Sequence, residues 1–253
     1  MSTRSELETL IRLAPEVSST VVISDVNLRT LLDKATIDVA LRGRALPKSE
    51  LVNAVASQRE YVLSGASPVL TDNDFLGIDL QGGGVQFNDG SRWIGPPEFK
   101  PATKEWLDRY YSNWRSNSAT STPLYWYLDT QEDNTSNLVL GLVDKPSANG
   151  TNVLLVHYCS RGKLMTASTH YPWTGSTTQL VHLEPYEPLL VYYCLEWINR
   201  LITKDVAAAD KYKTLYEAGV QAMAQRLPLH DHLVRHAFAP PPYFSRLGGG
   251  RRF

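Results

Sequence analysis

Leu7, Leu10 and Ile11 recur at helical spacing over residues 5–13, behind Ser5 as a cap and ahead of Pro15, so the pattern predicts a short amphipathic helix. A second helix is predicted from Ser24, whose hydroxyl can cap free amides. It carries Leu28, Leu31, Leu32, Ala35 and Val39 on one face and stops at Gly43. Pro47 then opens a stretch in which Leu51, Val52, Val55 and Ala56 share a stripe, predicting a third helix to about Tyr61.

After Ser64 the period shortens. Bursts at Pro68–Leu70, Phe75–Leu80 and Val85–Phe87, separated by Asn, Asp and Gly, read as strands and turns, with Gln81–Gly84 as a hairpin turn. Trp106, Leu107, Tyr110, Tyr111 and Trp114 give residues 101–115 the spacing of a short aromatic-faced helix, followed by a polar linker to Thr122. Strand alternation returns at 124–129, 137–144 and 152–159, where Asn149-Gly150 reads as a hairpin dipeptide within an antiparallel sheet. Pro185 and Pro188 introduce a helix that is apolar nearly all round through Leu190, Tyr193, Trp197 and Leu201 and ends near Thr203. Asp205 caps a partner helix carrying Tyr212, Tyr216, Val220 and Met223, and so short a connection requires antiparallel packing. From Pro228 the triplets Pro240-Pro241-Pro242 and Gly248-Gly249-Gly250 interrupt any period, predicting an extended tail.

The resulting fold class is α+β. Helices at 1–63 and a carboxyl-terminal helical hairpin at 184–227 form a helical bundle, around a β-rich middle at 64–183, sandwich- or barrel-like, and residues 228–253 form an extended basic tail.

Composition bounds the function. The 253 residues are 43% hydrophobic and 20% charged, which suits a globular chain with a real core. A net charge of −1 provides no global field for nucleic acid or an anionic surface, yet the tail from Arg226 onward holds five arginines against the single acid Asp231. No apolar run is long enough to span a bilayer and the amino end shows no secretory stretch, so a soluble cytosolic protein without a membrane partner is expected. Cys159 and Cys194 sit in apolar aromatic segments and read as buried thiols.

Catalytic and metal signatures fail on spacing. Gly82-Gly83-Gly84 leads into Val85 rather than a Lys-Ser or Lys-Thr pair, against a phosphate loop. Asp72-Asn73-Asp74 begins like a calcium loop, but Leu76 takes a ligand position and no glutamate closes it. Gly65-Ala66-Ser67-Pro68 lacks the closing glycine of a nucleophile elbow. His230, His232 and His236 have no completing acid or thiol beyond Asp231, while His157, His170 and His182 read as structural. No enzyme, cofactor or metal site is expected.

The order of elements then carries a resemblance. The matching residues are Ile23-Ser24-Asp25 before the second helix, Leu124 to Leu128 after Thr122-Pro123, Leu138 to Val143 leading to Pro146, and Val153 to Tyr158. Glu187-Pro188-Leu189-Leu190 and the helix with Tyr212 and Tyr216 follow. Together these resemble the portal-to-tail adaptor (head-tail connector) proteins of tailed bacteriophages.

The resemblance implies a structural virion protein assembled in the bacterial host cytoplasm. It would form a homo-oligomeric ring, a dodecamer, between the portal protein and the tail or nozzle proteins, and pass packaged DNA through its lumen. In that setting Leu190, Tyr193, Trp197, Tyr212 and Tyr216 are the expected subunit-packing residues. Arg235, Tyr243, Phe244, Arg246, Arg251, Arg252 and Phe253 are the expected portal-binding residues of the tail. A second reading is an aromatic β module for a host receptor or glycan, built on Trp93, Tyr125, Trp126, Tyr127, Tyr171 and Trp173.

Overall fold

The computed structural model describes residues 1–17, 23–71, 74–80, 82–111, 113–130 and 137–238. Helix α1 (Arg4–Arg12) starts earlier than Ser5 would place it. Thr3 accepts from the Glu6 amide while the Glu6 carboxylate accepts from the Thr3 amide, closing a reciprocal capping box worth about 1 kcal/mol. Helix α2 (Asp25–Arg42) is capped by Ser24 and closed at Gly43 as its sequence predicts, and it buries Leu28, Leu32, Ala35 and Val39.

The third predicted helix is absent. Residues 47–64 instead form strands β1 (Pro47–Ala54) and β2 (Glu60–Ser64). The stripe Leu51, Val52, Val55, Ala56 fits a helix locally, but Leu51 and Val55 are exposed while Val52 and Ala54 point into the core. Pairing with a strand far along the chain outweighs that local spacing, and Pro47 falls at the strand's first residue, where a missing N–H is tolerated.

That distant partner is β9 (Gly150–Ser160), the centre of the first sheet. β1 pairs along one side of it, while β3 (Phe75–Ile78) and β4 (Val85–Asn88) pair along the other, with β5 (Trp93–Ile94) beyond β4. β3 and β4 are therefore not the hairpin predicted around Gln81–Gly84. They lie end to end against β9, and the intervening loop is closed by Gly84 N–H donating to the Asp79 carbonyl at 2.9 Å. The second sheet runs β2, β8 (Leu138–Val143), β7 (Tyr125–Thr130) and β6 (Lys100–Pro101), antiparallel except for the short β6–β7 pair. Residues 68–70, predicted as a strand, belong to neither sheet.

Asn149-Gly150 is likewise not a hairpin turn. It marks the corner where the chain leaves β8 in the second sheet and enters β9 in the first, and the Asn149 side chain accepts from the Ala56 amide at 2.8 Å. The sheets do not close into a barrel. Val52, Phe87, Leu154 and Val156 from one and Tyr61, Leu63, Trp126 and Leu142 from the other share a single apolar cluster.

After β9 the chain returns to the helices through an irregular stretch that ends in a 3-10 helix (Val181–Tyr186), and Met165 and Trp173 plug the helical core. The Trp173 indole donates to the Thr36 carbonyl at 3.2 Å, and Arg4 donates to the Met165 carbonyl at 2.8 Å. Helix α4 (Glu187–Ile198) continues as a wide π turn to Thr203, and α5 (Val206–Phe238) begins with Asp205 accepting from the Ala208 amide. The tail predicted from Pro228 thus begins later, because α5 runs on to Phe238, and residues 239–253 lie outside the described residues.

Gly141 in β8 has no room for a side chain, since a Cβ there would fall within the Tyr127 ring on the neighbouring strand. Gly141→Ala is expected to cost about 2 kcal/mol or more, read as a lowered denaturation midpoint with unchanged slope in urea.

Candidate functional site

Three surfaces are candidates for assembly, and the α4–α5 pair is the first. The Tyr193 and Tyr216 rings meet edge to face at 5.5 Å, Tyr192 and Tyr212 stack at 6.3 Å, and Gly219 lets Leu189 approach the α5 backbone closely. The Tyr216 hydroxyl donates to the Asp38 carboxylate on α2, and Arg42 pairs with both Asp38 and Glu217, so α2 is tied to the middle of α5. Burial and then Asp38 raise the Tyr216 phenol far above its ordinary value, which keeps it a proton donor, and Arg42 holds the Glu217 carboxylate below its own.

These contacts also fix which helix ends lie together. Ser2 meets Glu187 at the start of α4, Leu189 meets Gly219, and Gly43 meets Met223. The far end of the helical layer therefore gathers the end of α1, the start of α2 and the α4–α5 turn. There Leu10, Leu13, Val26, Leu201, Ile202 and Val206 are all exposed, beside the Arg12–Asp25 ion pair and the exposed Lys204, a mixed apolar and charged end open to an interaction.

The third surface lies on the second sheet. Helix α3 (Lys104–Tyr110), with Thr103 as its cap, packs against the sheet face turned away from the shared core, through a cluster of Leu107, Trp114, Tyr127 and Val143. The Asp108 carboxylate accepts from the Trp114 indole at 2.8 Å and pairs with Arg115, which locks the turn after α3. Trp106 then faces Tyr125 at 5.3 Å and 50°, and a cleft of about 470 Å³ opens between them and β6.

A family model described as SU10 adaptor protein matches residues 3–249 of this chain. The chain belongs to the SU10 adaptor protein family. This is a phage adaptor family of structural virion components rather than an enzyme family. A search of curated proteins found no match. Among the described residues no helix is long and apolar enough to cross a membrane, and no three His, Cys, Asp or Glu side chains are grouped to hold a metal ion.

In this SU10 adaptor-family chain the five residues expected at subunit contacts divide. Leu190 and Tyr216 are buried in the chain's own core; Tyr193 and Tyr212 are half-buried against each other's helices; Trp197 is 38% exposed. An all-round apolar helix cannot indicate which of its faces a partner takes, and here most of them face inward. Of the tail residues, Arg235 lies on α5 beyond the last described side chain. Tyr243, Phe244, Arg246, Arg251, Arg252 and Phe253 lie outside the described residues, as do the side chains of His230, His232 and His236.

The aromatics behind the glycan reading divide as well. Trp126, Tyr127 and Trp173 are core residues, whereas Trp93 is exposed and Tyr125 lines the cleft. Asp74, the described member of the calcium-like run, is buried and spends its carboxylate on Lys48, Ser160 and Tyr158. His157 contacts the Ser49 hydroxyl at 2.7 Å within the sheet, in keeping with a structural role, while His182 is exposed. The apolar helix end was legible only in part, because Leu10 and Leu201 read as core positions of their own helices.

Tyr216→Phe removes the donor to Asp38 and is expected to cost about 1–2 kcal/mol in chemical denaturation. Arg115 and then Trp114 hold the Asp108 carboxylate below its ordinary value, so its contribution is present above the unfolded value near 4 and is lost as pH falls through the lower folded one. Tryptophan fluorescence should report loosening of the α3 turn on acidification below about pH 4, and Asp108→Asn should remove that transition.

Proposed function

We propose that this chain is a ring-forming adaptor that joins the phage portal to the tail, serves as a platform for tail or nozzle proteins and gives the packaged DNA a conduit. The observation that carries the reading is the family match over nearly the whole chain. The structure supports it in two ways. The helical layer ends in exposed apolar side chains suited to a neighbouring subunit, and α5 continues past Met223, the last buried of its described side chains, toward the arginine-bearing tail.

In this reading the tail docks on the portal, with Arg235, Arg246, Arg251 and Arg252 pairing to acids there and Tyr243, Phe244 and Phe253 as anchors. Weak contacts repeated around a ring become a lasting joint. The chain's near-neutral charge suits a lumen through which DNA slides without sticking. Assembly takes place in the host cytoplasm and the product is part of the virion.

Deleting residues 228–253 removes no described buried side chain, so the shortened chain should keep its melting behaviour and lose only the helical circular-dichroism signal of residues 228–238. It should fail to retain portal protein in a pull-down, and full retention by the shortened chain would contradict tail docking. Native mass measurement of the chain with and without portal should show a ring on the portal; a monomer under both conditions would contradict the ring.

A further inference from the structure

The cleft between α3 and β6–β7 has chemistry that the connector reading leaves unused. Its walls are Lys100, Pro101, Ala102, Thr103, Trp106 and Tyr125. Trp106 is 40% exposed, and its ring meets that of Tyr125 at an angle, which leaves a notch between two tilted aromatic faces rather than a flat platform. Tyr110, more exposed still, extends the aromatic wall at 5.6 Å from Trp106.

Every polar side chain of the cleft can donate, and only the two hydroxyls, of Thr103 and Tyr125, can also accept. The Trp106 indole N–H, the Tyr125 hydroxyl and the Lys100 ammonium have no hydrogen-bond or ion-pair partner among the described residues. No carboxylate lines the cleft, and the Thr103 hydroxyl already accepts from the Trp106 amide at 3.2 Å. On the floor, Pro101 brings no N–H to the sheet edge. A sugar, which must both donate and accept, finds few acceptors here. An extended segment that offers carbonyls and apolar rings but no N–H groups suits the cleft better.

The chain carries such a segment. Ala239-Pro240-Pro241-Pro242 follows directly on α5, and consecutive prolines favour the polyproline II conformation, whose ridges and free carbonyls are what aromatic notches with Trp and Tyr donors recognise. Among the described side chains of α5 the last buried one is Met223, and helix geometry carries the backbone ~22 Å farther by Phe238. The proline run is joined to the end of that helix, ~22 Å along the axis from Met223, a reach that suits another molecule.

We propose that the Trp106–Tyr125 cleft of one copy receives the Ala239–Pro242 segment of a neighbouring copy. The contact is head to tail. Each subunit offers one cleft and one proline run, so the arrangement propagates around a ring, and the residues from Tyr243 onward remain for the portal. This inference rests on the ring part of the reading above and not on its portal part, so it is tested without portal.

The test uses the full chain carrying Lys100→Cys, at an exposed position, and Ala239→Cys, next to the proline run, in a protein whose own Cys159 and Cys194 are buried. Under mild oxidation at high protein concentration, the double variant should give a ladder of disulfide-linked species on a non-reducing gel. Each single variant should give no species larger than a dimer. Adding Trp106→Ala to the double variant should reduce the ladder about tenfold with circular dichroism unchanged. A link confined to single chains, or a double variant no different from the single ones, would overturn the proposal. If native mass measurement still finds a ring in that case, the connector reading survives and this assignment alone fails.

Discussion

Both layers of the protein depend on the pairing of β9 with three other strands. β1 occupies one side of it and β3 with β4 the other, so the hydrogen bonds of one central strand join residues 47–54, 75–88 and 150–160. Leu154, Val156 and Tyr158 of that strand are buried in the cluster between the sheets. β1 follows α2 after a short connection, and the irregular chain after β9 carries Met165 and Trp173 back into the helical core. The helical layer is therefore attached twice at one end of the β1–β9 pair, where Pro47 lies opposite Cys159, and the register of that pair places it.

This arrangement explains where the sequence could be read and where it could not. The caps Ser24 and Asp205, the closing Gly43 and the apolar faces of α2, α4 and α5 are local signals, and the helices follow them. Strands β7, β8 and β9 announce themselves by alternation because each has a buried face. Residues 47–61 misled because Leu51 and Val55 have helical spacing with Val52 and Ala56, and what selects the strand is a partner a hundred residues away. Gln81–Gly84 and Asn149-Gly150 carry sound turn chemistry, yet a turn signal does not say which strands it joins. In one case it joins two segments on the same edge, and in the other two different sheets.

The candidate surfaces were legible to different degrees for the same reason. Tyr193, Trp197, Tyr212 and Tyr216 were recognisable as a helix-pairing set, but burial divides them into internal packing and an exposed remainder, which composition cannot do. The cleft depends on Tyr125 and Trp106, which stand far apart in sequence until the β6–β7 pairing sets α3 over the sheet. An adaptor family joined over most of the chain fixes the class of protein; which faces meet is decided by what the folding of the single chain leaves uncovered.

The loop between β3 and β4 has one further consequence. Both of its ends are held by His157: the Asp79 amide donates to the His157 carbonyl at 2.8 Å, and the His157 amide donates to the Gly84 carbonyl at 2.9 Å. Whatever lies between is spliced into an edge whose alignment is already set on either side. Lengthening that stretch would cost little more than loop-closure entropy, provided that Gly83 and Gly84, both at positive φ, are kept. A longer peptide spliced in between Asp79 and Gly83 would therefore leave every rung of the sheet beneath in place.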